Sequence, residues 1–211
     1  NGDVVKNGNQ IIIKDEKTKV VISKQDLGGN ELEGAKIQIL DSNKQIVTIN
    51  GNKLEWTSTK DQKTGKTDHL IEGLEVGKVY TLHEESCPDG YTVITDVTFT
   101  VDKDNNVTVT GTTTNGDVVK NGNQIIIKDE KTKVVISKQD INGTELEGAK
   151  IQILDDNKKV VNINGTPLEW TSKKDSTGKT NHIIEGLEVD KKFTLHEVNG
   201  PDGYAVITDI Q

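Results

Sequence analysis

The segment "NQIIIKDEKTKVVISKQD" occupies residues 9–26 and returns unchanged at residues 123–140. Its β-branched runs "QIIIK" and "KVVIS" favour strands, and successive residues of a strand point to opposite faces of a sheet. On this alternation Lys24 ends an apolar row on one strand face, and Asp129 ends an isoleucine row on another. The segment therefore predicts β structure with an amine and a carboxyl on faces that should form the core.

A third ionisable side chain lies on a predicted core face in "VYTLHE" at residues 79–84, where Glu84 shares its face with Tyr80 and Leu82. Burying one unpaired charge costs several kcal/mol, so three such groups must be paired, neutralised or used. The competing interpretation places each of them at the rim of a sheet, in water, with the lysine stem lying along apolar surface.

These three groups have the chemistry of amide formation. Burial favours the neutral amine of a lysine, which is a nucleophile, and it also favours the neutral form of an aspartic acid beside a glutamate. An amine held against a carboxyl can condense with it if a neighbouring group moves the proton. We therefore predict Lys24 as the amine, Asp129 as the acceptor and Glu84 as the proton shuttle. Asp96 stays open as an alternative acceptor, although it lacks the apolar flanks of Asp129.

The duplication extends over most of the chain. Residues 1–26 match residues 115–140 at an offset of 114, and "ELEGAKIQILD" at residues 31–41 returns at residues 145–155. A period of this length is that of a whole domain. We expect a first domain at residues 17–130 and a second at residues 131–211 that lacks its last strands, with residues 1–16 as the closing strand of a preceding repeat.

This organisation predicts an exchange between chains. Lys138 and Glu197 of the second domain correspond to the lysine and glutamate of the first, and Asp15 occupies the acceptor position of the duplicated strand. An exposed strand edge invites a strand of this kind. We expect head-to-tail pairing in which Lys138 of one chain bonds Asp15 of the next.

No stretch shows helical periodicity, and the Asn50-Gly51 pair is a strong signal for a two-residue hairpin turn. Strands of this number and spacing favour antiparallel β-sandwiches in tandem, and thus an all-β fold. The strands predicted in the first domain are Lys19–Lys24, Ala35–Leu40, Ile46–Ile49, Lys53–Trp56, His69–Ile71, Val79–Glu84, Tyr91–Val101, Asn106–Gly111 and Gln124–Asp129.

Composition excludes several function classes. The 211 residues carry a formal charge of −8 with acidic and basic residues interspersed, so nucleic-acid binding is not expected. No apolar run approaches membrane-spanning length. The four histidines have no metal-ligand spacing, and "DKDNN" at residues 102–106 favours a hairpin loop over a calcium site. We expect no cofactor, no metal and no turnover enzyme. The chain has no methionine and opens on no signal peptide, which predicts a processed segment.

Three stretches carry a family resemblance. "VVISKQD" (20–26), "ELEGAKIQI" (31–39) and "IEGLEVGKVYTLHEESCPDGY" (71–91) resemble the CnaB-type domain of collagen-adhesin stalks and SpaA-like pilins of Gram-positive bacteria. The resemblance implies an Ig-like β-sandwich exported to the cell wall. It also implies a spontaneous isopeptide bond between a first-strand lysine and a last-strand Asn or Asp, promoted by a glutamate. Lys24, Asp129 and Glu84 match these positions, as do Lys138 and Glu197 in the second domain.

The expected function is that of a structural stalk module at a bacterial cell surface, in which the bond joins the strands through which tension enters and leaves. A single cysteine allows no intrachain disulfide, and the amide would take its place. Neighbouring repeats are the expected partners, without membrane insertion. The alternative is an adhesin module that recognises host protein or glycan through its loops, with Trp56 and Trp170 as contacts. The loops "TSTKDQKTGKTDH" and "TSKKDSTGKTNH" are nearly identical, which favours the stalk.

Overall fold

The computed structural model describes residues 2–111 and 113–211, so Asn1 and Thr112 of the predicted repeats lie outside the described residues. Contacts divide the chain into two compact units, the first containing Asn1–Pro88 and Thr92–Glu130 and the second Asp89–Tyr91 and Lys131–Gln211. The described residues form twenty strands and no helix. This part of the chain therefore contains no helix long and apolar enough to cross a membrane. The all-β prediction is confirmed.

The first unit begins with a hairpin and continues as two sheets. One sheet has the strand order β11-β10-β9-β4-β7 and the other β12-β13-β3-β8, while β1 pairs with β2 and β5 with β6. The strands are β1 (Asp3–Asn7), β2 (Gln10–Lys14), β3 (Lys19–Asp26), β4 (Lys36–Leu40), β5 (Thr48–Ile49), β6 (Asn52–Lys53), β7 (Glu55–Thr57), β8 (His69–Glu72), β9 (Tyr80–Ser86), β10 (Val97–Val101), β11 (Val107–Thr110), β12 (Gly116–Asn121) and β13 (Gln124–Asp129).

The two sheets of this unit enclose one hydrophobic core. Alternate residues of each strand point inward, as period-two patterning requires, and residues of both sheets pack in a single cluster. The largest fully buried apolar side chain is Phe99 of β10. The four-stranded sheet supplies Val20, Ile22, Ile71, Ile125 and Ile127, and the five-stranded sheet supplies Ile37, Ile39, Tyr80, Leu82, Val97, Phe99, Val101 and Val107.

The pairing of β3 with β13 departs from the antiparallel expectation. These strands run parallel, with Ile22 opposite Ile125 and Lys24 opposite Ile127, whereas the other strand pairs of the described residues are antiparallel. Parallel neighbours need a long crossover, and here the rest of the unit provides it. The first long strand of the unit and its last are therefore side by side.

The turn predicted at Asn50-Gly51 is confirmed. Ile49 pairs with Asn52 across it, and Asn50 and Gly51 have φ angles of 51° and 82°. Two successive positive φ angles define the turn whose twist matches that of the flanking strands.

The strand predicted over Tyr91–Val101 is too long, because only Val97–Val101 is strand. In the preceding segment the backbone N–H of Thr92 donates to the carbonyl of Glu130, and that of Ile94 donates to the side chain of Glu84. Because these N–H groups bond to partners outside a regular strand pairing, the segment forms no strand, although its Val- and Thr-rich composition favours one. The structure also contains β1 and β12, which the sequence patterns did not indicate.

Identical hairpins occur in two environments. The strands β1 and β2 have the sequence of β12 and β13, and both pairs form two-stranded antiparallel hairpins. Ile125 and Ile127 are 0% exposed, whereas their counterparts Ile11 and Ile13 are 66% and 73% exposed. Local sequence thus determines the hairpin, and the surrounding sheet determines its burial.

The second unit repeats part of this arrangement. Its sheets have the orders β18-β15-β20, β14-β19 and β16-β17, and Ile210 forms a bridge to Leu195 where the first unit has Val97 opposite Leu82. The strands are β14 (Lys133–Ile136), β15 (Lys150–Leu154), β16 (Asn162–Ile163), β17 (Thr166–Pro167), β18 (Glu169–Thr171), β19 (His182–Glu185) and β20 (Thr194–Asn199).

Candidate functional site

A buried cluster of one lysine and two carboxyl groups lies in the core of the first unit. The side chains of Lys24, Glu84 and Asp129 are each 0% exposed. Lys24 Nζ lies 2.7 Å from Glu84 Oε1 and is in hydrogen-bonding contact with Asp129 Oδ1. The structure thus brings together the three residues predicted for amide chemistry, and the rim interpretation of these residues is wrong for this unit.

Three strands from both sheets position the cluster. Lys24 projects from β3 and Asp129 from the adjacent β13, where the parallel register places Asp129 opposite Asp26, two residues beyond Lys24. The two side chains are therefore diagonal neighbours on one face, within reach of each other because lysine is long. Glu84 comes from β9 of the other sheet, so the amine is held between the two layers.

Glu84 is held by a backbone donor as well as by the strand. Its Oε2 accepts a hydrogen bond of 3.0 Å from the backbone N–H of Ile94, and Ile94 is itself 2% exposed. The β4–β9 register shifts between Lys36 and Ile37, which is a β-bulge of the kind found next to functional sites. Sequence patterns missed the role of Ile94, since alternation in a strand gives no information about an irregular segment.

The protonation of Asp129 differs from that of an ordinary aspartate. The pKa of Asp129 is raised to about 7, mainly by burial; the Lys24 amine opposes the rise, and the negative charge of Glu84 adds to it. Desolvation disfavours the charged carboxylate. The neutral acid, the form that an amine can attack, is therefore populated near neutral pH.

The second unit contains a corresponding pair. Lys138 Nζ lies 3.1 Å from Glu197 Oε1, with 12% and 2% of the side chains exposed, and the backbone N–H of Ile207 donates to Glu197 Oε2 at 2.9 Å. Glu197 is the carboxylate that contacts Lys138 among the described residues. Asp15, the predicted acceptor for Lys138, follows β2 and is exposed.

The structure places the alternative acceptor elsewhere. Asp96 is exposed, and its Oδ1 lies 2.7 Å from Nδ1 of His83, which is on the outer face of β9. Asp96 therefore does not approach the Lys24 amine, and Asp129 does.

The two tryptophans have equivalent surroundings in the two units. Trp56 stacks on His69 and Trp170 on His182, each with ring centroids 4.1 Å apart and planes inclined by 8°. Partial burial lowers the pKa of both histidines. Within residues 2–111 and 113–211, no group of three His, Cys, Asp or Glu side chains is arranged to hold a metal ion.

The two units thus share their strand arrangement and a lysine–glutamate ion pair, fully buried in the first unit and partly exposed at Lys138 in the second, and the repeated strand arrangement is that of tandem Ig-like β-sandwich domains. A family model described as "SpaA: Prealbumin-like fold domain" matches residues 18–115 and 132–211. The chain belongs to this family, and the predicted resemblance is confirmed. Comparison with curated protein sequences found no match.

Similar folds occur among solved structures. The streptococcal ancillary pilin has 21% identity and a TM-score of 0.40, with 92% of this chain and 57% of that chain covered. The Bacillus anthracis TIE protein has 20% identity and a TM-score of 0.44, with 95% and 31% covered. The shaft pilin SpaA from Lactobacillus rhamnosus GG has 17% identity and a TM-score of 0.36, with 92% of each chain covered. This chain spans 57% and 31% of the first two.

Proposed function

We propose that the chain is a structural stalk module of a Gram-positive cell-surface protein, stabilised by an amide bond that forms spontaneously between Lys24 and Asp129. The observation that carries this proposal is the contact between a fully buried amine and a fully buried carboxyl beside a second carboxyl. Family membership supports the proposed cell-surface location, since the family resemblance implies export to the cell wall.

The condensation balances within the cluster. The neutral Lys24 amine attacks Cγ of protonated Asp129, and Glu84 takes a proton from the amine and delivers it to the departing hydroxyl. One C–N bond forms, one C–O bond breaks, and one water leaves. Contact geometry supplies the proximity that such a reaction needs, and Glu84 supplies the general acid–base step.

The hydrogen bonding of Asp129 supports the proposed route of the proton. The Asp129 carboxyl is hydrogen-bonded to the Glu84 side chain as well as to Lys24, so the group that would carry the proton contacts the group that would lose water.

The burial of the cluster argues against turnover of an external substrate. Because the side chains of Lys24, Glu84 and Asp129 are 0% exposed, a substrate in solution cannot reach them. The reaction is a single event within each molecule, and its product is a mechanical element. Force that enters at β3 and leaves at β13 then passes through a covalent bond.

Intact mass measured on the denatured chain tests the cross-link. We expect the wild-type chain to weigh one water less than its sequence requires, because one amide forms in the first unit. Lys24→Ala and Asp129→Ala should each restore the full sequence mass, whereas Lys36→Ala, which removes an exposed lysine, should keep the loss. A folded wild-type chain with the full sequence mass refutes the proposal.

We further propose that the β1–β2 hairpin of one chain can close the second unit of another. This hairpin has the sequence of the β12–β13 hairpin, and β14 has the sequence of part of β3. In the first unit, β13 pairs with β3. In the described residues β14 pairs only with β19. Val134 and Val135 of β14 are exposed, as are Ile11 and Ile13 of β2.

The segment between β2 and β3 is too short for the β1–β2 hairpin to pair with β3 of its own unit in the way that the β12–β13 hairpin does. Only residues 15–18 separate β2 from β3, and a parallel connection needs a dozen or more residues. On β14 of another chain, the register of β13 on β3 would place Ile13 opposite Lys138. Asp15 would then be two residues beyond, in the position of Asp129. Repetition of this contact gives a head-to-tail chain of subunits.

Denaturing gels of the concentrated chain test this exchange. We expect a ladder of covalent oligomers, with one water lost per added bond, that disappears in Asp15→Ala. Asp3→Ala changes the same hairpin without touching the acceptor position and should keep the ladder. A single monomer band at high protein concentration, or a ladder that survives Asp15→Ala, contradicts the exchange and leaves the Lys24–Asp129 bond unaffected.

A further inference from the structure

The β3–β8 ladder ends just before the reactive lysine. Its last backbone pair joins Ile22 and His69, and continuation of that register would place Thr67 opposite Lys24. Thr67 uses its side chain there: Thr67 Oγ1 accepts the backbone N–H of Lys24 at 2.9 Å and lies 2.8 Å from the Lys24 carbonyl oxygen. A buried hydroxyl therefore takes the place of a strand partner for the Lys24 backbone N–H, while the backbone N–H of Leu32 donates to the Lys24 carbonyl at 2.9 Å.

A carboxylate orients this hydroxyl. Glu31 Oε2 lies 2.6 Å from Thr67 Oγ1 and accepts the Thr67 backbone N–H at 2.8 Å, while Gln25 donates to Glu31 Oε1 at 2.7 Å. Although partial burial favours the protonated acid, the hydrogen bonds from Thr67 and Gln25 lower the pKa of Glu31. The ionised carboxylate fixes the Thr67 side chain, and Thr67 fixes Lys24.

The second unit contains the same three residues in the same contacts. Thr180 Oγ1 accepts the backbone N–H of Lys138 at 2.9 Å and lies 2.6 Å from Glu145 Oε2. Hydrogen bonds, first those from the Thr180 side chain and backbone, lower the pKa of Glu145 to about 2. The arrangement thus accompanies the lysine in both units, although Lys138 is partly exposed and Lys24 is not.

We propose that Thr67 and Glu31 are positioning residues for amide formation, which hold the backbone of Lys24 so that its amine meets Asp129. This inference rests on the cross-link proposed above. Neither residue contacts the reacting atoms. Their effect is geometric: the backbone of Lys24 is held by β13 on one side and by Thr67 on the other. Loss of the Thr67 hydroxyl would leave the buried N–H of Lys24 without its partner and let the strand end move.

The rate of bond formation in newly made protein tests this role. The full chain is synthesised in a cell-free system, translation is stopped, and the fraction that has lost one water is followed over time. We expect Thr67→Val to slow the reaction about tenfold or more, because small displacements of reacting groups have large effects on rate. Thr67→Ser keeps the hydroxyl and should react at close to the wild-type rate.

Ser58→Ala is the matched control. Ser58 is a buried hydroxyl of the same unit that accepts a backbone N–H, but from Ala35 and not from Lys24. We expect Ser58→Ala to react as fast as wild type, even where urea denaturation shows a comparable loss of stability. Equal slowing by Ser58→Ala and Thr67→Val, or a wild-type rate for Thr67→Val, overturns the positioning role.

Two further outcomes are decided in the same experiment. If Thr67→Val does not fold, Glu31→Gln decides, because it keeps the Thr67 hydroxyl and removes the charge that orients it; a wild-type rate for Glu31→Gln then overturns the proposal. If the wild-type chain never loses water, the cross-link itself fails, which is distinct from a cross-link that forms regardless of Thr67.

Discussion

The Glu84→Gln variant is expected to fold, to keep the full mass of its sequence, and to melt about 20 °C below the cross-linked protein. Gln has the shape of Glu but cannot accept the amine proton, so Lys24 and Asp129 stay unjoined. In the chain-entropy model a covalent link that closes a loop of about 100 residues contributes about 5 kcal/mol to the free energy of unfolding. For a domain of this size each kcal/mol shifts Tm by about 4 °C.

Intact mass and thermal unfolding should be measured on the same preparation. Glu197→Gln provides the matched control, since it makes the same change in the second unit, and its first unit should still lose one water. Complete and fast water loss in Glu84→Gln would show that Glu84 is a packing residue or hydrogen-bond acceptor and not the proton shuttle.

The second large effect is a pH dependence in the Lys24→Ala variant, which cannot form the bond. In the unreacted protein the pKa of Asp129 is raised from 3.8 to about 7, mainly by burial, and Lys24 is the main group opposing the rise. Without the amine the pKa should be at least as high. Because the folded state holds the Asp129 proton more tightly than the unfolded state, this contribution to stability is fully present below about pH 4. It is lost progressively as pH rises from there through about 7. At about 1.4 kcal/mol per pKa unit, the loss is about 4 kcal/mol.

Urea denaturation between pH 4 and pH 8, followed by Trp56 fluorescence in a Trp170→Phe background, measures this loss in the first unit. The matched control is Lys24→Ala/Asp129→Asn, in which the carboxyl cannot titrate. We expect the free energy of unfolding of Lys24→Ala to fall relative to that of the control as pH rises. Parallel curves for the two variants would show that Asp129 does not titrate in the folded state as described.

The residues of the cluster could be selected from the sequence because each lies on a regular strand. Alternation places Lys24, Glu84 and Asp129 on apolar faces, and that rule needs no knowledge of the tertiary structure. The sequence could not specify that these faces meet across two sheets. It also gave no indication that β3 and β13 run parallel, because strand pairing depends on the path of the intervening chain.

The supporting groups could not be predicted from strand patterning. Ile94 donates its N–H to Glu84 from a segment without regular structure, and Thr67 lies in a loop rich in polar residues, where a single threonine carries no distinguishing pattern. Both act through one hydrogen bond to a residue distant in sequence. Such contacts depend on the assembled sandwich, whereas a hairpin such as Asn50-Gly51 depends on adjacent residues.

The proposed amide between Lys24 and Asp129 would also change the topology of the polypeptide. With the amide in place, residues 24–129 form a closed ring, and the exposed loop of residues 59–66 is part of that ring. A protease that cuts this loop once opens the ring without releasing any fragment, because the two pieces stay joined through the side chains. Only a second cut inside the ring frees a peptide. A chain closed in this way remains one covalent molecule after a single cut within residues 24–129.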